Sequence, residues 1–191
     1  MWFLLGCDPD AHGALAVIRG ESVGVVESVD VIDCPTTEVI VNNKQRPRLC
    51  VEELVELVRE LSVPRGTIVY LEEGGATNMF SPQSAFVQGS CFGIWKGVLV
   101  SAGMDVRVVK PQTWKWALGL TKRGVRSDKD SSRKLAKKLF PEVGDERLKR
   151  VKDHGRAEAL LIAAHGHSAI PGACDPLSNR VRCALSEGCK M

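Results

Sequence analysis

Apolar residues fall in short dense blocks near the N-terminus and in longer periodic ones beyond it. Trp2-Phe3-Leu4-Leu5-Gly6-Cys7 is a continuous run closing on Asp8-Pro9. A proline cannot extend a hydrogen-bonded ladder, so the pattern predicts a buried strand ending at Asp8. Ala14-Leu15-Ala16-Val17-Ile18 follows Gly13, and after Arg19-Gly20-Glu21 a third run spans Val23 to Val31. With glycine-containing turns between them, these runs predict a three-stranded antiparallel meander. Asp33 to Arg48 is polar, contains Asn42-Asn43-Lys44, and reads as a long exposed loop. From about residue 50 to 61, Val51, Leu54, Val55, Val58 and Leu61 recur at helical spacing with glutamates opposite, which predicts an amphipathic helix of structural role. Thr67-Ile68-Val69-Tyr70-Leu71 predicts a fourth strand, covered on both faces and ending at Glu72.

The second half of the chain is mostly helical in pattern. Ser81-Pro82 is an N-cap followed by an N1 proline, opening a helix to about Ala102 in which large apolar residues alternate with Gly89, Gly93 and Gly97. The loop before it carries two apolar tips, Met79 and Phe80; Phe80 also suits the first core position of the helix. A short helix follows Pro111, with Trp114 and Trp116 expected in core or edge packing. Lys152 to Ala164 is rich in Ala and Leu, and its polar residues crowd the first turns. Beyond Pro171 no periodicity emerges. Residues 1–170 are therefore expected to form one domain and 171–191 a tail.

Composition fits that picture: 191 residues at 44% hydrophobic content can bury one sizeable core. No apolar run reaches the length of a membrane span. The chain opens directly into a strand, so no signal or transit peptide is expected within it. Seven cysteines without CxxC spacing are expected to be reduced thiols. The net charge is only +3, but residues 107–156 hold 16 Lys and Arg against 6 Asp and Glu. A basic half set against an acidic remainder suggests a polyanionic partner.

Three acids stand out because each sits at the rim of an apolar element: Asp8, Glu72 and Glu158. Such groups are costly to bury unless a cation gathers them, and magnesium would do so. His154 lies four residues before Glu158 and shares its helix face, whereas Asp153 points elsewhere or caps the helix. Asp153 is the harder oxygen ligand, so His154 and Asp153 both stand as the fourth donor. Glu73 is expected on the opposite strand face from Glu72.

The order of these motifs resembles the RuvC-type Holliday-junction resolvases of the ribonuclease H-like fold, particularly the plant chloroplast resolvases of the monokaryotic-chloroplast family. It is carried by Gly6-Cys7-Asp8-Pro9 with Gly13-Ala14, Tyr70-Leu71-Glu72-Glu73, Ser84-Ala85-Phe86 with Gly93-Ile94-Trp95-Lys96-Gly97, Pro111-Gln112-Thr113-Trp114-Lys115, Leu139-Phe140-Pro141 and Gly155-Arg156-Ala157-Glu158-Ala159-Leu160. The chain departs from the family at Asp10, where relatives often carry a small residue, and at His154, where many carry Asp.

The resemblance implies an α/β fold with a mixed five-stranded sheet, the antiparallel meander plus two parallel strands, flanked by helices. It further implies a homodimeric, magnesium-dependent endonuclease that cuts four-way junction DNA symmetrically in a chloroplast. Two Mg2+ ions, with Mn2+ able to substitute, would be held by Asp8, Glu72, Glu158 and His154 or Asp153. Met79 or Phe80 would wedge the junction centre. Lys122, Arg123, Arg126, Lys129, Arg133, Lys134 and Lys137 are expected to contact phosphates, and Lys122 to approach the scissile one. Other readings are a nuclease of this fold acting on RNA-DNA hybrid or structured RNA, a non-catalytic junction-binding protein, and an actin-like ATPase domain, for which the chain is short and lacks a second phosphate turn.

Overall fold

The computed structural model describes residues 1–74, 81–121, 129–171 and 176–188. Strands β1 (Trp2–Asp8), β2 (Ala14–Gly20) and β3 (Ser28–Asp33) form the antiparallel meander. The third strand starts later than the apolar run at Val23 suggested, because Gly24, at φ 83°, turns the chain there. A separate two-stranded hairpin follows, β4 (Thr36–Val41) and β5 (Lys44–Leu49). This corrects the expectation of a long loop. Asn42 and Asn43 have φ of 51° and 57°, and asparagine tolerates the left-handed pair that a tight hairpin turn demands.

Helix α1 (Val51–Glu60) then leads to β6 (Ile68–Glu72), α2 (Pro82–Ser101) and β7 (Asp105–Val109). Ser81 caps α2, accepting from the Ser84 amide at 3.2 Å. The remaining elements are α3 (Pro111–Ala117), α4 (Lys129–Leu139), α5 (Pro141–Arg147), a 3-10 turn at Val151–Asp153, α6 (His154–Ser168) and α7 (Pro176–Gly188). The main sheet runs in the order β3-β2-β1-β6-β7, with β1 parallel to β6 and β6 parallel to β7. The mixed five-stranded sheet flanked by helices is thus the expected α/β architecture.

Two cores sandwich the sheet. Alternate residues of β1 and β6 feed opposite faces: Leu4, Ile68 and Tyr70 pack with α6, whereas Leu5, Cys7, Val69 and Leu71 pack with α1 and α2. Helix α6 lies so close on β1 that a Cβ at Gly6 would stand 2.3 Å from the Ala163 amide nitrogen. Only glycine allows that approach, and it fixes α6 relative to Asp8. The segment after Pro171 is not wholly irregular: Leu177 and Val181 of α7 are buried in the α6-side core. Of the described cysteines, Cys7, Cys34, Cys50 and Cys91 are free thiols.

Candidate metal centre

Parity of the strands decides where the acids go. Cys7 and Leu71 are registered neighbours on the parallel strands β1 and β6, and both face α1 and α2. Asp8 and Glu72 are the next residues, so both point to the other face, the one α6 covers. Glu158 comes from the N-terminal half of α6. Asp8, Glu72, Glu158 and His154 line one cavity of about 470 Å3 together with Lys110 and Lys115. Glu73, expected on the opposite strand face, also lines this cavity, since it lies just past the end of β6.

The cavity is electrostatically tense. Asp8 is 8% exposed, and burial, followed by the charges of Glu72 and Glu158, pushes its carboxyl well above the usual carboxylate range. Burial and Glu158 push Glu72 up to about 7, against the opposing pull of Lys115 and a hydrogen bond from Trp114. Trp114 Nε1 donates to Glu72 Oε2 at 2.6 Å, and Lys115 Nζ lies 2.9 Å from Glu158 Oε1. Lys115 also sits 4.9 Å from the centre of the Trp114 ring.

Three mutually repelling carboxylates beside a histidine are a donor set suited to a hard divalent cation. Among the described residues no three His, Cys, Asp or Glu side chains are gathered at ligating distance. Trp114 and Lys115 hold two of the carboxylates on the α3 side, and Lys115 supplies the cavity with a resident positive charge. The donors fit the group and would have to converge to bind it.

Asp153 does not join this set. Its carboxyl, 5% exposed, accepts from the Arg150 amide at 2.7 Å and from the Arg150 guanidinium at 2.8 and 3.1 Å, with Arg156 at 3.7 Å. Burial raises its pKa, but the Arg150 hydrogen bonds and the two cations outweigh it and leave the group lowered. It lines a different cavity, with Asp33 and Arg156. His154 lines both cavities, and so borders the carboxylates as well as Asp153.

The expected phosphate contacts divide three ways. Met79, Phe80, Lys122, Arg123 and Arg126 lie outside the described residues, and of Lys129 only the backbone at the start of α4 is described. Arg133 binds Asp130 and donates to the carbonyls of Leu148 and Lys149. Lys134 is largely exposed and pairs with Asp130, while Lys137 is half-buried where α5 packs against α4 at Gly144. Arg147 and Arg156 are spent internally too, on the Val31 carbonyl and on Asp33. Part of the basic excess of residues 107–156 therefore ties elements together.

Two residues at the site were missed as such. Trp114 is fully buried as expected, yet its indole N–H serves Glu72; Trp116 is 74% exposed and packs in no core. Lys115 was visible only as part of a motif. The available signal was position: α3 directly follows β7, the strand beside β6, so its first turns must reach the strand ends.

The sheet order, the covering helix and the acids at adjacent strand ends define the RuvC, ribonuclease H-like class of fold. A structure of T. thermophilus RuvC in complex with a Holliday junction substrate superposes with TM-score 0.55 at 19% identity, covering 91% of this chain and 98% of that one. A second Thermus thermophilus RuvC structure gives 0.53 at 21% identity, covering 87% and 95%. In sequence, the chain is similar to Holliday junction resolvase MOC1, chloroplastic, of Chlamydomonas reinhardtii, with 44% identity over 85 residues. That stretch is 44% of this chain and 9% of the algal protein. No family model matches the chain. Among the described residues no helix is long and apolar enough to cross a membrane.

Proposed function

We propose that this protein is a structure-specific endonuclease that resolves four-way DNA junctions by divalent-metal-dependent phosphodiester hydrolysis. The observation that carries the reading is the meeting of Asp8, Glu72, Glu158 and His154 in one cavity on a RuvC fold. The sequence similarity to a chloroplast resolvase supports the substrate class and a chloroplast location. The nuclease unit is residues 1–170, with α7 packed onto it.

Asp8, Glu72, Glu158 and His154 would hold two magnesium ions, which when bound supply Lewis-acid activation of water and neutralise charge on the phosphate. The chain's own contribution is positional. Asp8 and Glu72 are fixed by adjacent strand ends, and Trp114 orients the Glu72 carboxylate. Lys115 keeps an ammonium at the cavity wall, where it offsets Glu158 in the free protein and is available to an incoming phosphate. Hydrolysis leaves a 5′-phosphate and a 3′-hydroxyl, in keeping with the ribonuclease H-like reading.

Symmetric cutting of two strands calls for a twofold assembly. Helix α2 offers a surface for it: Phe86 is 76% and Val100 54% exposed, and a Cβ at Gly89, Gly93 or Gly97 would meet nothing within 4 Å.

The test incubates a labelled four-way junction with magnesium and either wild type or Asp8→Asn, with binding measured for both. Paired nicks by wild type, and binding without nicks by the variant, are expected. Binding without nicks by wild type leaves a non-catalytic junction protein, and preferential cutting of RNA-DNA hybrid shifts the substrate; either result overturns the proposal.

A further inference from the structure

A larger cavity of about 620 Å3 adjoins the carboxylate cavity, between the β4–β5 hairpin and the first turns of α2. Asp10 and Gln88 line both, so the two cavities are neighbours. Its hairpin wall is basic. Strand β5 begins Lys44-Gln45-Arg46-Pro47-Arg48, and alternation sets Lys44, Arg46 and Arg48 on one face. All three line this cavity. Their opposite residues on β4 are Val41, Val39 and Thr37, none of them acidic.

Among the described residues no carboxylate forms an ion pair with any of the three. Asp10 is the single acid among the described residues of the lining, and the α2 wall offers uncharged Ser81, Gln83 and Ser84. Lysine and proline on an exposed edge strand also deter pairing with another sheet. That role does not require three cations to face one groove, and here they face the groove that adjoins the carboxylate cavity. Arg48 donates only locally, to the Pro47 carbonyl at 3.0 Å, whereas Arg133, Arg147 and Arg156 bond to carbonyls or a carboxylate of other segments.

We infer that a nucleic-acid backbone runs along this groove toward the carboxylates, with Lys44, Arg46 and Arg48 contacting its phosphates. The inference rests on the nuclease reading above and adds the path of the substrate. Alternate residues on a strand are about 6.8 Å apart, so the three cations cover about 13.6 Å, the rise of about four nucleotides in a duplex strand. Such contacts set register and do not read bases, so they serve junction arms of any sequence.

The test compares wild type with the combined variant Lys44→Gln, Arg46→Gln, Arg48→Gln in metal-free binding to a four-way junction and to plain duplex across a salt series. Losing three phosphate contacts is expected to make the slope of log affinity against log salt shallower by about 2 to 3. Affinity at low salt should fall at least about tenfold on both DNAs. The conservative variant Lys44→Arg, Arg46→Lys, Arg48→Lys should keep the wild-type slope. An unchanged slope in the glutamine variant overturns the inference, as does an equal loss in the conservative one, which would mark a structural effect. If wild type binds and cuts a junction while the slope stays unchanged, the groove alone falls; if wild type binds neither DNA, the nuclease reading falls with it.

Discussion

Trp114 donates its indole N–H to Glu72 Oε2 at 2.6 Å, joining α3 to the end of β6. A buried donor on a carboxylate fixes the side chain's rotamer and favours its charged form. Replacing it with Trp114→Phe keeps an aromatic ring but leaves Glu72 unheld. Magnesium affinity, measured by calorimetry, should fall about tenfold, and stability by about 2 kcal/mol from the smaller ring and the lost bond. An unchanged metal affinity would reduce Trp114 to a packing residue.

Asp8 is buried among like charges, so Asp8→Asn should stabilise the metal-free protein while abolishing cutting. With 191 residues, a gain of about 1 kcal/mol appears as roughly 2 to 4 °C in melting temperature. Calorimetry in chelator checks this, and a lower melting temperature would contradict the repulsion described for this cavity.

The pH dependence of stability follows from Glu72, whose pKa rises from an ordinary 4.5 to about 7 in the folded chain. Between those values the folded protein keeps a proton that the unfolded chain has released. Stability in chelator should therefore decline as pH rises from about 5 to 7. Asp8, also raised, acts in the same direction. Saturating magnesium should flatten or reverse the decline, because it favours the ionised carboxylates. Melting curves at several pH values, with and without the metal, read this directly.

Lys115 and Glu158 form a pair in which each side chain is 20% exposed. Lys115→Met leaves Glu158 facing Glu72 and Asp8 without its counter-charge. The metal-free variant should lose about 1 to 2 kcal/mol, an amount between those of exposed and fully buried pairs. Magnesium should raise its melting temperature by more than it raises that of wild type, since the ion then supplies the missing positive charge. Equal shifts would mean that Lys115 does little for Glu158.

Helix α7 buries Leu177 (2% exposed) and Val181 (4%) in the α6-side core. Leu177→Ala should cost about 2 to 3 kcal/mol, seen in urea unfolding. A neutral result would leave α7 a detachable tail.

The path from sequence to fold was most legible where one periodicity dominated. The run ending at Asp8-Pro9, the strand ending at Glu72 and the Ala-rich helix bearing Glu158 each announced themselves, because covered strands and buried helices must be apolar nearly throughout. The β4–β5 hairpin did not, since its strands are exposed and need no apolar alternation. Helix α7 did not, because two buried residues, Leu177 and Val181, are too few to set a period.

The sequence by itself determined the strand ends, the acids placed at them and the helix that carries the third. Tertiary structure alone decided which of those groups share a cavity. Parallel register set Asp8 beside Glu72, while the Gly6 contact drew α6 down over them. Arg150 took Asp153 away from the carboxylates, and α3 brought Trp114 and Lys115 to them. Local pattern reports how each segment meets its own solvent and core, whereas hydrogen bonds and ion pairs between distant residues depend on how the segments are stacked.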